Sequence, residues 1–129
     1  MTGLACRMRD FKRLEIWRRA HALAIALYEL TAGYGRLGFG QLRSQLTKAA
    51  DSIGTNIAEG CGAESNREFA RFLDMSMKSA SETENHLIST LDLRLMSRKN
   101  WLRYSNETIE IRRMTFSYRK RVLEEDERP

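Results

Sequence analysis

The sequence predicts an all-α fold, an antiparallel up-down-up-down four-helix bundle, on three observations. Across 129 residues the only proline is Pro129, and no Asn-Gly or Asp-Gly pair offers a hairpin turn, so long helices meet no breaker and strands find little support. Apolar residues recur at steps of three and four through four long stretches, which is the spacing of a helix face. Glycines gather after the first stretch and at the end of the second, where successive helices need turns. A chain of this length is expected to form one domain and to bury roughly two-thirds of the surface its unfolded form exposes.

Residues 1–10 read as a flexible basic leader, 11–123 as the bundle and 124–129 as an acidic tail. The first helix is predicted over residues 12–32, with Asp10 near its start. It carries two apolar stripes, Leu14, Trp17, His21, Ala24 and Tyr28 on one and Ile16, Ala20, Leu23, Leu27 and Leu30 on the other. Gly33, Gly35, Gly38 and Gly40 mark a loop. The second helix, residues 41–59, carries Leu46, Ala49, Ile53 and Ile57 on one face and is expected to stop at Gly60 and Gly62. Ser65 and Glu68 have capping-box spacing and open a third helix, about 45 Å long at 1.5 Å per residue. Ser97 is a candidate cap for the fourth, which runs towards Leu123. On that helix Trp101, Tyr104, Thr108, Ile111, Tyr118 and Val122 form one row and Leu102, Ile109, Phe116 and Leu123 another. This is more apolar surface than a single bundle core requires, which predicts a homo-oligomer.

The second helix also carries a polar stripe, Ser52, Asn56 and Glu59, beside its apolar face. In its neighbourhood the pattern L-x-x-Q (Leu42, Gln45) leads into A-x-S-I-x-x-N-I-A-E-G (Ala50, Ser52, Ile53, Asn56, Ile57, Ala58, Glu59, Gly60). E-F-x-R-F-L follows (Glu68, Phe69, Arg71, Phe72, Leu73). With the opening run from Phe11 to His21 and an S-x-x-E at Ser79 and Glu82, the chain resembles the four-helix-bundle family named after the 23S rRNA intervening-sequence proteins. Lys48 stands where that family usually has arginine, and Ala63 where a basic residue often follows the G-x-G turn. The resemblance implies a barrel-shaped homopentamer. It extends more distantly to the accessory protein of diversity-generating retroelements, which implies RNA and a reverse transcriptase as partners.

Charge is distributed unevenly along the chain. Residues 1–19 carry six basic against two acidic side chains, residues 20–97 seven against nine, residues 98–121 eight against two, and residues 122–129 one against four, within a formal net charge of +5. If the first and fourth helices are antiparallel, Arg7, Arg9, Lys12 and Arg13 gather at one end with Arg119, Lys120 and Arg121, and Arg112 and Arg113 lie about two turns away. Such a patch fits nucleic-acid phosphates, RNA most simply, and fits an acidic protein partner as the alternative. Arg18, Arg19, Arg98, Lys99 and Arg103 are secondary candidates.

Catalytic signatures are missing, and the expectation is a non-enzymatic protein without metal or cofactor. No Glu-x-x-His step is present, since Arg18 and Thr83 stand three residues before the two histidines. Glu82 and His86 share a face, but one pair leaves a metal under-coordinated. The arginine-to-histidine spacing of small helical RNases is absent, with Ile16 and Ser81 in the required places. No glycine loop is followed by the lysine and hydroxyl residue that cradle phosphate. Cys61 lies at a helix C-terminus, where a thiolate gains nothing, and with Cys6 it is expected to be a free thiol in a reducing compartment. No apolar run reaches the ~20 residues needed to span a bilayer, so a cytoplasmic protein is expected. As structure, Ser52, Asn56 and Glu59 would form a polar layer with Arg71, Ser79 or Glu82 of the third helix, with Glu59–Arg71 as the first ion pair expected. As function, they would line a pocket or touch RNA.

Overall fold

The computed structural model describes residues 10–126, the side chain of Asp126 excepted, so Cys6, Arg7 and Arg9 lie outside the described residues. Four helices account for most of them: α1 (Glu15–Leu30), α2 (Gly40–Cys61), α3 (Asn66–Asp92) and α4 (Arg98–Asp126). Two short 3-10 turns, Phe11–Arg13 and Gly35–Leu37, precede α1 and α2, and no strand occurs among the described residues.

The helix starts follow local chemistry. Asp10 accepts the Lys12 backbone N–H at 3.0 Å, but it caps the 3-10 turn, and the chain is extended at Leu14 before α1 begins at Glu15. The first helix is therefore shorter than its periodicity suggests. The Arg18 guanidinium donates to the carbonyls of Arg13 and Lys12 at 2.9 and 3.3 Å, closing the turn that displaces the start. Ser65 caps α3 through Glu68 N at 3.1 Å, and Ser97 caps α4 through Asn100 N at 3.1 Å, each a contribution of about 1 kcal/mol. Between α1 and α2, Gly38 takes φ 88, a left-handed conformation that glycine adopts without steric cost.

The end of α2 has a different cause from the one its glycines imply. The helix continues through Gly60 to Cys61, and Gly62 has φ −91, so no left-handed cap forms. Gly60 instead provides room for α3: a Cβ there would lie 2.6 Å from Phe69 Cδ1 and 3.0 Å from Phe72 Cβ.

The core is shared by all four helices. Ala20, Leu27, Leu46, Ala50, Ile57, Phe69, Leu73, Ala80, Leu87 and Ile111 are fully buried. Buried hydroxyls punctuate it, several bonded to backbone carbonyls: Ser76 donates to Ile53 O at 2.9 Å, Thr83 to Ser79 O at 2.8 Å and Thr115 to Ile111 O at 2.7 Å. The second row of α4 does not join the core, with Leu102 and Phe116 exposed. His21, expected on an apolar stripe in a core or interface, is exposed in the monomer and stacks flat on Trp17 with ring centroids 4.8 Å apart. α3 packs extensively on both α2 and α4, whereas the contact between α1 and α4 is the slightest of the four major seams. That thin seam is where a cleft can open.

Candidate nucleic-acid interface

The thin seam holds a cleft of about 430 Å³. The 3-10 turn and the residues leading into α1 supply Arg13 and Leu14, the start of α1 supplies Glu15 and Ile16, and α4 supplies Glu110, Arg113, Met114, Ser117, Tyr118 and Arg121. The α4 positions recur at steps of three and four, so they form one helical face. Arg13, Arg113 and Arg121 are exposed at the rim, while Leu14, Met114 and Tyr118 are half-buried and Ile16 is buried at the floor.

Pairing within the cleft is loose. Arg113 reaches Glu110 at 3.4 Å on its own helix, and Glu15 reaches Arg19 at 3.7 Å. Arg121 lies over the Tyr118 ring, 5.5 Å from its centroid, and makes no ion pair among the described residues; nor does Arg13. Just beyond the cleft Arg19 chelates Glu107 through two hydrogen bonds of 2.6 and 2.9 Å and touches Met114 Sδ at 3.2 Å. The Glu107 hydrogen bond holds the Arg19 guanidinium above its ordinary range, against the opposing effect of burial. Arg19 is a structural tie between α1 and α4.

The predicted basic cluster divides. Lys12, Arg13, Arg113, Lys120 and Arg121 are exposed, and Lys12 has only a 3.7 Å contact with Asp10. Arg112 and Arg119, seven residues apart, turn to the opposite side of α4. Arg112 pairs with Glu84, and Arg119 Nε lies 2.6 Å from Asp74 Oδ1 in an ion pair whose alignment falls short of a hydrogen bond. Both are thus engaged with α3, because a step of one residue on a helix turns a side chain by about 100° and carries 112 away from 113. Arg7 and Arg9 lie outside the described residues.

The predicted polar network is also divided. Ser79 Oγ donates to Ser52 Oγ at 2.9 Å, and Asn56 Nδ2 donates to Ser52 O and Oγ at 2.9 and 3.0 Å, which joins α2 to α3. Glu59 and Arg71 form no ion pair with one another. Glu59 is exposed and lines a groove with Trp17, His21 and Asp51, so it faces α1, while Arg71 is exposed with its guanidinium 5.5 Å from the Phe72 centroid. Glu82 is exposed beside Gln45, Lys48, Ser52 and His86 in a second cavity of about 440 Å³. Among the described residues no three of His, Cys, Asp and Glu gather as metal ligands. No helix among them is long and apolar enough to cross a membrane.

Leu14, Met114, Ser117 and Tyr118 were not among the predicted site residues. For Met114, Ser117 and Tyr118 the signal is their helical spacing between Arg113 and Arg121 on one face.

A family profile described as 23S rRNA-intervening sequence protein matches residues 12–117. The chain belongs to that family. The 23S rRNA-intervening sequence profile covers α1, α2, α3 and most of α4, ending one residue before Tyr118. This family member is also similar to a crystal structure of a protein of unknown function from the S23 ribosomal protein family of Bacteroides thetaiotaomicron. The two chains are 23% identical with a TM-score of 0.76, over 81% of this chain and 95% of that one. At that identity the likeness concerns the fold. No curated protein matches the chain significantly.

Proposed function

We propose that this protein is a non-enzymatic, homo-oligomeric nucleic-acid-binding scaffold whose working surface is the α1–α4 face, with RNA as its ligand. One observation carries the reading: Arg13, Arg113 and Arg121 converge on one cleft although about a hundred residues separate the first from the others, and Lys12 and Lys120 stand exposed beside them. The three arginines with Lys12 and Lys120 outnumber the two carboxylates of the cleft, Glu15 and Glu110, and the net positive charge raises the local potential and attracts a polyanion.

In this reading the four helices run up-down-up-down. Its support is that rising positions on one helix meet falling positions on the next, as with Arg112–Glu84 and Arg119–Asp74, or Ile53–Ser76 and Ser52–Ser79. The reading also includes assembly into a pentameric ring, which would repeat the basic face and add avidity. Exposed Ile25, Tyr28, Leu102 and Phe116 are the apolar surface available to such contacts. A reverse-transcriptase partner is supported by fold-level resemblance alone and by no residue of this face.

The test is filter binding of a structured RNA across a salt series. Arg13→Gln and Arg121→Gln should each weaken binding and reduce the salt slope by about one. Arg112→Gln and Arg119→Gln, whose charges are engaged by α3, should change affinity less than either. A folded oligomer that binds no RNA at low salt would replace this reading with its alternative, an assembly module docking an acidic protein.

A further inference from the structure

Resting on the nucleic-acid reading, we propose that the α1–α4 cleft receives one unstacked nucleotide, so that the protein holds single strands in preference to duplex. A surface that only follows a phosphate backbone needs cations on an open face. Here exposed Arg13, Arg113 and Arg121 ring a concavity of about 430 Å³ with an apolar floor of Leu14, Ile16, Met114 and Tyr118. That volume lies within the roughly 300–1,000 Å³ of small-ligand sites, and an amphipathic ligand is the one such a site suits. A nucleotide has this division, a flat apolar base at one end and a phosphate at the other.

The carboxylates in the cleft strengthen the assignment. Glu15 and Glu110 line the same cavity as the three arginines, which a site for phosphate alone would not favour. A nucleobase edge, however, presents N–H donors that a carboxylate accepts, and the exposed Ser117 hydroxyl can pair with either edge group. Met114 and Tyr118 supply the floor on which a base can lie, and the Arg121 guanidinium over the Tyr118 ring stands where it can meet the attached phosphate. A paired base in a duplex cannot enter without first leaving its stack, so single strands, bulges and ends gain the pocket contact at lower cost.

The experiment uses the full chain with a single-stranded oligoribonucleotide bearing one 2-aminopurine and with its fully paired duplex, both read by anisotropy and by 2-aminopurine emission. Single strand should bind about tenfold more tightly than duplex, consistent with one base–aromatic contact, and its emission should change on binding. Ser117 is exposed, so Ser117→Leu fills the mouth of the cleft without disturbing the core; helical circular dichroism checks that the variant is folded. It should bring single-strand affinity down to the duplex level. Equal affinity for the two forms, or a Ser117→Leu variant that keeps the single-strand advantage, overturns the nucleotide pocket while leaving backbone binding in place. Failure of both forms to bind at low salt overturns the nucleic-acid reading itself, and this inference with it.

Discussion

At the scale of single residues, Tyr34 is the group whose chemistry the fold alters most simply. It is 5% exposed, its hydroxyl donates to Leu95 O over a long 3.4 Å, and burial pushes its phenol up from the ordinary value. The sign of the linkage follows. Below the unfolded value of about 10 both states keep the proton; above it the unfolded chain releases the proton first, so stability falls as pH rises through the folded-state value. Tyr34→Phe should lose about 0.5 kcal/mol at neutral pH for the weak hydrogen bond and should show a flatter alkaline decline than the wild type. Urea midpoints between pH 8 and 11 measure both effects, and parallel declines for the two proteins would remove Tyr34 as the cause. Side-chain partners of this kind were hardly legible in the sequence. Ser52 and Asn56 could be placed on a polar stripe from spacing alone, but spacing does not say what lies across from it. Glu59 faces Trp17 and His21 on α1, not Arg71, because the partner of a helical position depends on helix rotation and crossing, which periodicity leaves open.

At the scale of elements two glycines within α2, Gly54 and Gly60, make a controlled comparison. Gly54 lies against Trp17, and a Cβ added there would meet the indole at 3.5 Å, an ordinary contact. Gly60 faces Phe69, which has no exposed surface, at 2.6 Å. Gly54→Ala should therefore be neutral or stabilise by up to about 1 kcal/mol through helix propensity, whereas Gly60→Ala should cost about 1–3 kcal/mol as the buried ring is forced aside. Chemical denaturation of both variants decides, and equal effects would show that the α2–α3 seam adapts freely. Existence, order and capping of the helices were legible because they depend on near neighbours, as Ser65 with Glu68 and Ser97 with Asn100 show. α2 does end at Gly62, but without the left-handed turn its glycines imply: glycine serves two purposes, a left-handed turn and close approach, and only the packed neighbour distinguishes them. The basic cluster was blurred for a similar reason: Arg112 and Arg113 are adjacent in the chain, yet one is tied to Glu84 and the other borders the cleft.

For the whole molecule, the controlling quantity is the distribution of charge about the α1–α4 face. α4 extends past Leu123, so Glu124 and Glu125 form part of its last turn and stand three and four residues beyond Arg121, where helical side chains are neighbours. Their position has two consequences from one cause. Carboxylates at a helix C-terminus oppose the macrodipole, and they lower the potential that Arg121 presents to phosphate. Glu124→Gln with Glu125→Gln should accordingly stabilise the protein by about 0.3–1 kcal/mol and, under the proposed nucleic-acid function, tighten RNA binding by about two- to fivefold at low salt. The gain in affinity should fade towards physiological ionic strength, where the Debye length is about 8 Å. Thermal melts and filter binding at two salt concentrations separate the outcomes. A more stable variant with unchanged RNA affinity would confine the acidic turn to a local helix effect. A gain in affinity that persists at high salt would point to direct occlusion of the cleft by these side chains, since contact exclusion, unlike exposed Coulomb repulsion, is not screened.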